Sequence, residues 1–323
     1  MKKIRVHLGK RSYDIIIGSN IISSLGAALK KLQLGDTAII ISNPVIKRLF
    51  SSRVIATLKK NNIQYRLVEV PDSETSKSRE VAFRVINRIA GWDTNRKIFL
   101  IAFGGGVIGD LTGFVAAVYK RGIPYVQVPT TLLAQIDSAI GGKVAIDLNW
   151  GKNLVGAFYQ PRLVFSDVAF LSSLGKREIR SGLAEAIKYG VIRDKGLFEF
   201  IERQYRSLLA LKPKALELVV QRCSNIKARV VELDEKEEKG LRTILNFGHT
   251  IGHAVEAAAD YKSFTHGEAI AFGMVCAAQI SHRMNLIDSN SLQRLVNLVG
   301  KIGLPLRISR LKSSRVLSAL SHD

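Results

Sequence analysis

The sequence predicts an α/β chain: a Rossmann-like N-terminal domain on a parallel sheet, followed by an all-α C-terminal domain. Three observations predict it. Short apolar runs alternate with helical periodicity through the first half. A run of glycines joins one such strand directly to an apolar helix. Past residue 170 the strand patterns give way to helical ones. At 323 residues the chain exceeds the usual size of one core, so two domains are expected, 1–170 and 171–323.

Taken in order, residues 3–7 and 12–17 alternate like two short strands around Lys10-Arg11, a hairpin in outline. Ser19-Asn20 is placed to cap an amphipathic segment with Ile21, Ile22, Leu25, Ala28 and Leu29 on one stripe. Residues 37–41 form an apolar run between Gly35-Asp36 and Ser42-Asn43, which reads as a buried strand. Then follow a helix over 45–58, a strand over 65–70, a helix over 76–90 and a strand over 97–103. That spacing is the one crossover helices impose on a parallel sheet. Residues 111–119 continue as an apolar helix, and 165–174 resemble a last strand and its exit loop. Helical patterns then dominate, first over 176–189 and later along Leu216, Val219, Val220, Cys223, Ile226 and Val230, a stripe suited to core packing. Residues 232–239 read as a solvated, charged loop.

A composition of 47% hydrophobic and 23% charged residues, with 7 Pro against 26 Gly, excludes a disordered chain. The two cysteines, Cys223 and Cys276, lie in apolar helical patterns with no paired spacing, which points to a reducing compartment, the cytoplasm. The N-terminus lacks a continuous apolar region and nowhere do apolar residues run far enough to span a bilayer, so no membrane association is expected. A net charge of +21 raises nucleic-acid binding as a class. Its carriers, such as Lys30-Lys31, Lys59-Lys60, Arg203, Arg206, Lys212, Lys214 and Arg310, are scattered and make no aromatic-basic platform. The expected partner is instead a small anion, drawn in by the basic surface.

The strand over 97–103 runs into Gly104-Gly105-Gly106-Val107-Ile108-Gly109-Asp110. Glycines at a strand-to-helix turn let a pyrophosphate approach the free N–H groups of the helix N-terminus. The glycine spacing is not the usual dinucleotide fingerprint, and no acidic residue follows at the usual distance. Next comes a polar stretch, Pro129-Thr130-Thr131-Leu132-Leu133-Ala134-Gln135-Ile136-Asp137-Ser138, then Gly141-Gly142-Lys143 and Gly151-Lys152-Asn153. Ammonium and amide donors in these glycine-led units suit phosphate and carboxylate oxygens. Glu185 sits among Gly182, Ala184 and Ala186, three residues from Lys188, and a buried carboxylate there must be paired or bound to metal. After Arg242 and Asn246, half of the six histidines cluster within 28 residues: His249 and His253, four apart and so on one helical face, and then His266. Converging imidazoles point to a divalent metal, and spacing alone pairs His249 with His253.

With these segments in hand, the sequence resembles the 3-dehydroquinate synthase family over essentially its whole length. The matching motifs are the glycine turn 104–110, the stretch 129–138, Gly141-Gly142-Lys143, Gly182-Leu183-Ala184-Glu185 and Asn246-Phe247-Gly248-His249-Thr250-Ile251-Gly252-His253-Ala254. The resemblance implies an NAD- and metal-dependent lyase of the shikimate pathway. It would convert 3-deoxy-D-arabino-heptulosonate 7-phosphate to 3-dehydroquinate and phosphate, with Zn2+ or Co2+ as the ion and a homodimer as the assembly. It implies Glu185, His249 and His266 as metal ligands, which moves His253 from the metal to the substrate. Substrate would also meet Asp137, Lys143, Asn153, Lys188, Lys227, Arg242 and Asn246, with Arg121 reaching in from the partner subunit. NAD would lie against Asp72, Glu74 and Lys77, and against Gly105, Gly106, Val107, Ile108, Gly109 and Asp110. Its other contacts would be Thr130, Thr131, Leu133, Asp137, Lys143, Lys152, Phe170, Ser173, Leu174 and Glu178. Two departures from the family pattern stand out. Ser42 replaces a usual Asp at an adenosine contact, and the end at Ser321-His322-Asp323 reads as truncated before a lysine pair that serves the phosphate pocket. A sibling sugar-phosphate cyclase, a metal-dependent polyol dehydrogenase and an inactive descendant remain as alternatives.

Overall fold

The structure is a computed structural model that describes residues 1–93, 97–308 and 311–320; Arg310 and Ser321-His322-Asp323 lie outside the described residues. The chain forms two compact units, Met1–Ser172 with Lys227–Lys236, and Ser173–Ile226 with Glu237–Asp323.

In the first unit the strands are β1 (Lys2–Val6), β2 (Tyr13–Gly18), β3 (Thr37–Ser42), β4 (Gln64–Glu69), β5 (Ile98–Gly104), β6 (Tyr125–Pro129), β7 (Lys143–Leu148), β8 (Gly151–Phe158) and β9 (Leu163–Asp167). Its helices are α1 (Leu25–Leu32), α2 (Pro44–Lys60), α3 (Arg79–Ala90) and α4 (Gly106–Val118). Among the described residues, seven strands make one sheet in the order β1-β2-β9-β6-β5-β3-β4, parallel throughout except for the β1–β2 hairpin. The central strands β3, β5 and β6 are buried at every residue, as a parallel sheet covered on both faces requires. Period-two alternation splits their side chains. Ile39, Ile41, Leu100 and Ala102 pack with α3 and α4, whereas Ala38, Ile40, Phe99 and Ile101 pack with α1 and α2. The predicted parallel α/β architecture is therefore the one present.

Local signals differ from the expectations in three places. Ser19 and Asn20 do not cap a helix: Asn20 takes φ +55°, and the Asn20 and Ile22 N–H groups donate to the Asp167 carboxylate at 2.8 and 3.0 Å. A distant acid at the end of β9 serves the helix entry, which local sequence could not show. The helix expected over 76–90 starts at Arg79 behind the Ser78 cap, after a tight turn at Glu74–Ser76. The stretch 141–158, where two glycine-led units and no strand are expected from sequence, contains the β7–β8 hairpin.

The second unit is helical, as expected: α5 (Lys176–Arg193), α6 (Lys195–Leu209), α7 (Pro213–Leu233), α8 (His249–Ala258), α9 (His266–Arg283), α10 (Ser289–Ile302) and α11 (Ser313–Leu320), with the last residues of α7 belonging to the first unit. Among the described residues, no helix is long and apolar enough to cross a membrane.

Candidate metal centre and anion-binding residues

Three helices supply the carboxylate and imidazoles of the second unit. Glu185 lies in the middle of α5 with no exposed surface. His249 is the first residue of α8, whose N-cap is Gly248 at φ +81°. An added Cβ at Gly248 would also sit 2.6 Å from the Met274 backbone nitrogen, so glycine is required there twice over. His266 opens α9, fixed by a capping box in which Thr265 and Glu268 exchange bonds of 2.8 and 3.3 Å. Arg177 forks onto the same Glu268 at 2.8 and 2.6 Å, which anchors the box to α5.

One donor atom from each of Glu185, His249 and His266 lies within 4.8 Å of the other two. Each Nε2 is 3.6 Å from Glu185 Oε1. Two ligands about 2.1 Å from a tetrahedral ion stand about 3.4 Å apart, so the set has the spacing and the chemistry for a divalent cation. Burial pushes the His249 imidazole down to about 4, which keeps the ring neutral, the form a metal ligand takes. Burial also opposes charge on His266, but the Glu185 carboxylate at 3.6 Å and the Glu256 carboxylate at 3.2 Å outweigh it and raise this ring to about 10. Two carboxylates around one imidazole make a place that calls for positive charge, whether proton or metal.

Glu256 was missed by the sequence reading. Its carboxylate meets His266 Nδ1 at 3.2 Å, the arrangement that turns a ring's other nitrogen toward a metal. The signal was present, since Glu256 follows His249 and His253 by seven and three residues on α8. His253 is exposed and, with Glu256 and His266, forms a second donor cluster. Lys188, buried beside Glu185, ion-pairs with it. Arg242 is also buried and pairs with Glu237 at 3.1 Å, while Asn246 is exposed at the end of the turn Leu241–Asn246. Ser173, Leu174 and Glu178 belong to this unit too.

In the first unit, Gly105 caps α4 and Gly106 begins it, at the exit of β5. A Cβ on Gly105 would lie 3.0 Å from Thr131, and one on Gly109 would lie 2.9 Å from Gln127, so the turn is packed to the backbone. The Thr130 N–H donates to the Gly104 carbonyl at 2.9 Å, and Leu133 is half-buried. Lys77, buried, reaches Asp110 at 2.9 Å and Asp147 at 3.8 Å, and donates to the Asn153 amide oxygen. Asn153, expected at the substrate, therefore stands with residues expected at NAD. Glu74 takes Lys152 at 3.6 Å, and Asp72 accepts from the amide of Asn43. Asp137 lies in a π-helical turn, Ala134–Ser138, where its side chain and carbonyl take Lys227 Nζ at 2.6 and 2.9 Å. Lys143 is exposed at the start of β7, and Arg121 is exposed at φ +63° in the turn Tyr119–Arg121. Phe170 has no exposed surface and packs its ring on Phe50 and Phe103, so any part it plays in binding falls to its main chain. Ser42 is buried and donates to the Phe103 carbonyl at 2.7 Å.

Burial pushes Asp110 up to about 6 against the pull of Lys77. An acid whose folded pKa lies above its unfolded value stabilises the fold while protonated, and that contribution is lost as pH rises between the two. Asp110→Asn should therefore gain thermal stability relative to the parent as pH is raised from about 4 to above 6. A constant gap between their melting temperatures across that range would remove Asp110 as the cause.

Comparison with known proteins agrees with this layout. The family model described as 3-dehydroquinate synthase N-terminal matches residues 67–181, and the one described as 3-dehydroquinate synthase C-terminal matches 182–323. The 3-dehydroquinate synthase of Desulforamulus reducens is 44% identical over 324 residues, covering 100% of this chain and 90% of that one. Among solved structures, 2-deoxy-scyllo-inosose synthase complexed with carbaglucose-6-phosphate, NAD+ and Co2+ superposes with a TM-score of 0.91 at 31% identity, covering 100% of this chain and 87% of the other. A 2-epi-5-epi-valiolone synthase from Streptomyces hygroscopicus with NAD+ and Zn2+ bound has a TM-score of 0.88 at 27% identity, covering 98% and 87%. Those two neighbours carry NAD+ and a divalent ion, and the relative matches along the full chain. By sequence and by fold, this chain belongs to the 3-dehydroquinate synthase family.

Proposed function

We propose that the chain converts 3-deoxy-D-arabino-heptulosonate 7-phosphate to 3-dehydroquinate and phosphate, using NAD and one divalent ion, Zn2+ or Co2+. The observation that carries this reading is the convergence of Glu185, His249 and His266 in a chain matched throughout by this family. When bound, NAD supplies a reversible hydride acceptor and the ion supplies Lewis acidity.

The residues of the chain hold and order the rest. The free N–H groups at the start of α4 take the dinucleotide pyrophosphate, with Thr130, Thr131 and Lys152 beside it. Lys77 neutralises Asp110 and Asp147 there, and keeps that corner from repelling an anionic cofactor. Lys143, Lys227 and Arg242 hold the substrate's phosphate and carboxylate through charge-assisted hydrogen bonds. The contact between Asp137 and Lys227 leaves a carboxylate next to an ammonium, a pair suited to moving a proton to or from a substrate hydroxyl. Asn246 and His253 orient hydroxyls, and Lys188 balances the charge of Glu185. One flexible sugar is thereby kept in register through oxidation, phosphate loss, reduction and ring closure, where positioning contributes most.

Arg121 is assigned to substrate binding in the partner of a homodimer, supported by its exposure at a turn held in left-handed geometry. An exposed, uncharged strip on β8, with Leu154, Val155 and Phe158, supports association. The cytoplasm is the proposed compartment, supported by a sequence with only two cysteines, Cys223 and Cys276, at no paired spacing.

The test is phosphate release by the purified chain supplied with NAD and Zn2+ or Co2+, with sedimentation of the same preparation. The expected result is turnover of the heptulosonate phosphate, none of glucose 6-phosphate, and the mass of two chains. Turnover of glucose 6-phosphate alone would replace this reading with the sibling cyclase activity, and a monomeric mass would remove the dimer.

A further inference from the structure

Residues Lys227–Lys236 are packed with the first unit although helical sequence surrounds them on both sides. Charged and read from sequence as part of a solvated loop, the end of this segment is instead tied down. Glu232 accepts the His7 N–H at 2.8 Å. Glu235 takes the fork of Arg11 at 3.0 and 2.6 Å, in the bidentate geometry that fixes both groups in direction as well as distance. The same carboxylate accepts from Gln160 Nε2 at 3.1 Å, and that nitrogen also donates to the Gly141 carbonyl at 3.2 Å.

Gly141 and Gly142 hold φ of +101° and +72°, left-handed geometry that glycine takes without steric cost. Tyr13, 1% exposed, accepts the Gly141 N–H at 3.1 Å, and the Tyr159 N–H donates to the Gly142 carbonyl at 2.7 Å. A Cβ on Gly142 would lie 2.7 Å from the Gln160 amide, so that amide rests against the turn itself. Its two hydrogens go to Glu235 and Gly141, while its buried Oε1 receives no hydrogen bond from the described residues. A buried carbonyl left without a donor is unfavourable, so the amide is oriented by the needs of its nitrogen. Lys143 comes directly out of this turn.

We infer that Glu235, aimed by Arg11, is a positioning residue that fixes the Gly141-Gly142 turn through Gln160 and so sets where the Lys143 ammonium stands. Lys227, eight residues before Glu235, meets Asp137 at the start of the same segment, so ten consecutive residues place two substrate-facing ammonium groups. The functional part of this inference rests on the activity proposed above.

The test compares Glu235→Gln, Gln160→Ala, their double variant and Arg11→Lys with the parent, in kinetics and in hydrogen exchange of a peptide spanning 141–143. Each single variant of Glu235 and Gln160 is expected to raise KM for the heptulosonate phosphate about tenfold, with kcat changed less than about threefold. The double variant should match either single one, because both break one chain of contacts. Arg11→Lys, which keeps the charge and loses the fork, should fall between parent and Glu235→Gln. Amide exchange over 141–143 should speed up about tenfold in both single variants whether or not the parent turns over. A parent without turnover would sink the proposed activity, and exchange would still decide whether the turn is held. Unchanged exchange, effects that multiply in the double variant, or losses in kcat that simply follow melting temperature would each overturn the inference.

Discussion

Glu185→Gln, His249→Ala and His266→Ala are each expected to lose the divalent ion and to lower turnover at least about a thousandfold, since Lewis acidity is worth several kcal/mol in the transition state. Glu185→Gln is the sharpest of the three, because it keeps shape and removes one charge. It also leaves the buried Lys188 without the carboxylate it pairs with, a change that costs about 3–5 kcal/mol when a buried pair is broken. The double variant Glu185→Gln with Lys188→Met separates the two effects, since Met fills a similar volume without charge. Stability should return in the double variant while metal binding does not. A second readout follows from protonation. With His266 raised to about 10 by Glu185 and Glu256, its ring holds a proton at neutral pH, and that proton must leave Nε2 before the nitrogen can ligate. His249, held down to about 4, has none to give up. Uptake of the ion near pH 7.5 should therefore release one proton, read by calorimetry in buffers of different ionisation enthalpy. Release of two protons, or metal binding that survives Glu185→Gln, would count against this ligand set.

How much of this was legible in the sequence depends on whether the cause was local. The run from β3 to α4 could be read because strands buried on both faces leave uninterrupted apolar runs, and because their crossover helices have their own period. The β7–β8 hairpin could not. Residues 153–158 are exposed on both faces, so β8 shows no alternation, and the glycine-led units on either side resemble loops. Charge misled the reading of 232–239, because two of the groups that hold Glu232 and Glu235, the His7 N–H and Arg11, come from more than 220 residues away. At the metal centre, the four-residue step from His249 to His253 marked one helix face. Spacing cannot say which imidazole joins the carboxylate, because that depends on how α9 enters, and the capping box and close helix contacts decide it. The family resemblance implies His266, the ring found beside Glu185, whereas bare periodicity pairs His249 with His253.

Those close contacts carry the second large prediction. Gly267 of α9 lies so near α5 that an added Cβ would sit 2.2 Å from the Ser181 carbonyl oxygen and 2.4 Å from its Cα. At Gly273 the Cβ would be 2.0 Å from the Gly248 carbonyl oxygen at the start of α8. In both cases the obstacle is backbone, which cannot rotate aside. Each donor is close to one of these points: Glu185 one turn beyond Ser181, His249 next to Gly248, His266 next to Gly267. Packing three helices backbone to backbone thus sets the 3.6 Å separations at the centre. Gly267→Ala must push α9 away from α5, and overpacking of this kind destabilises by about 1–3 kcal/mol. It should also weaken metal binding about 10–100-fold, the loss typical when a ligand's support is removed. Gly300→Ala on α10 is the control. Its added Cβ meets only Leu306 at 3.5 Å, so the substitution should raise stability by up to about 1 kcal/mol and leave the ion's affinity unchanged. Melting temperature and titration against a competing chelator read both variants. If Gly267→Ala melts earlier but holds the ion as tightly as the parent, the donors are spaced by something other than the contact between these helices.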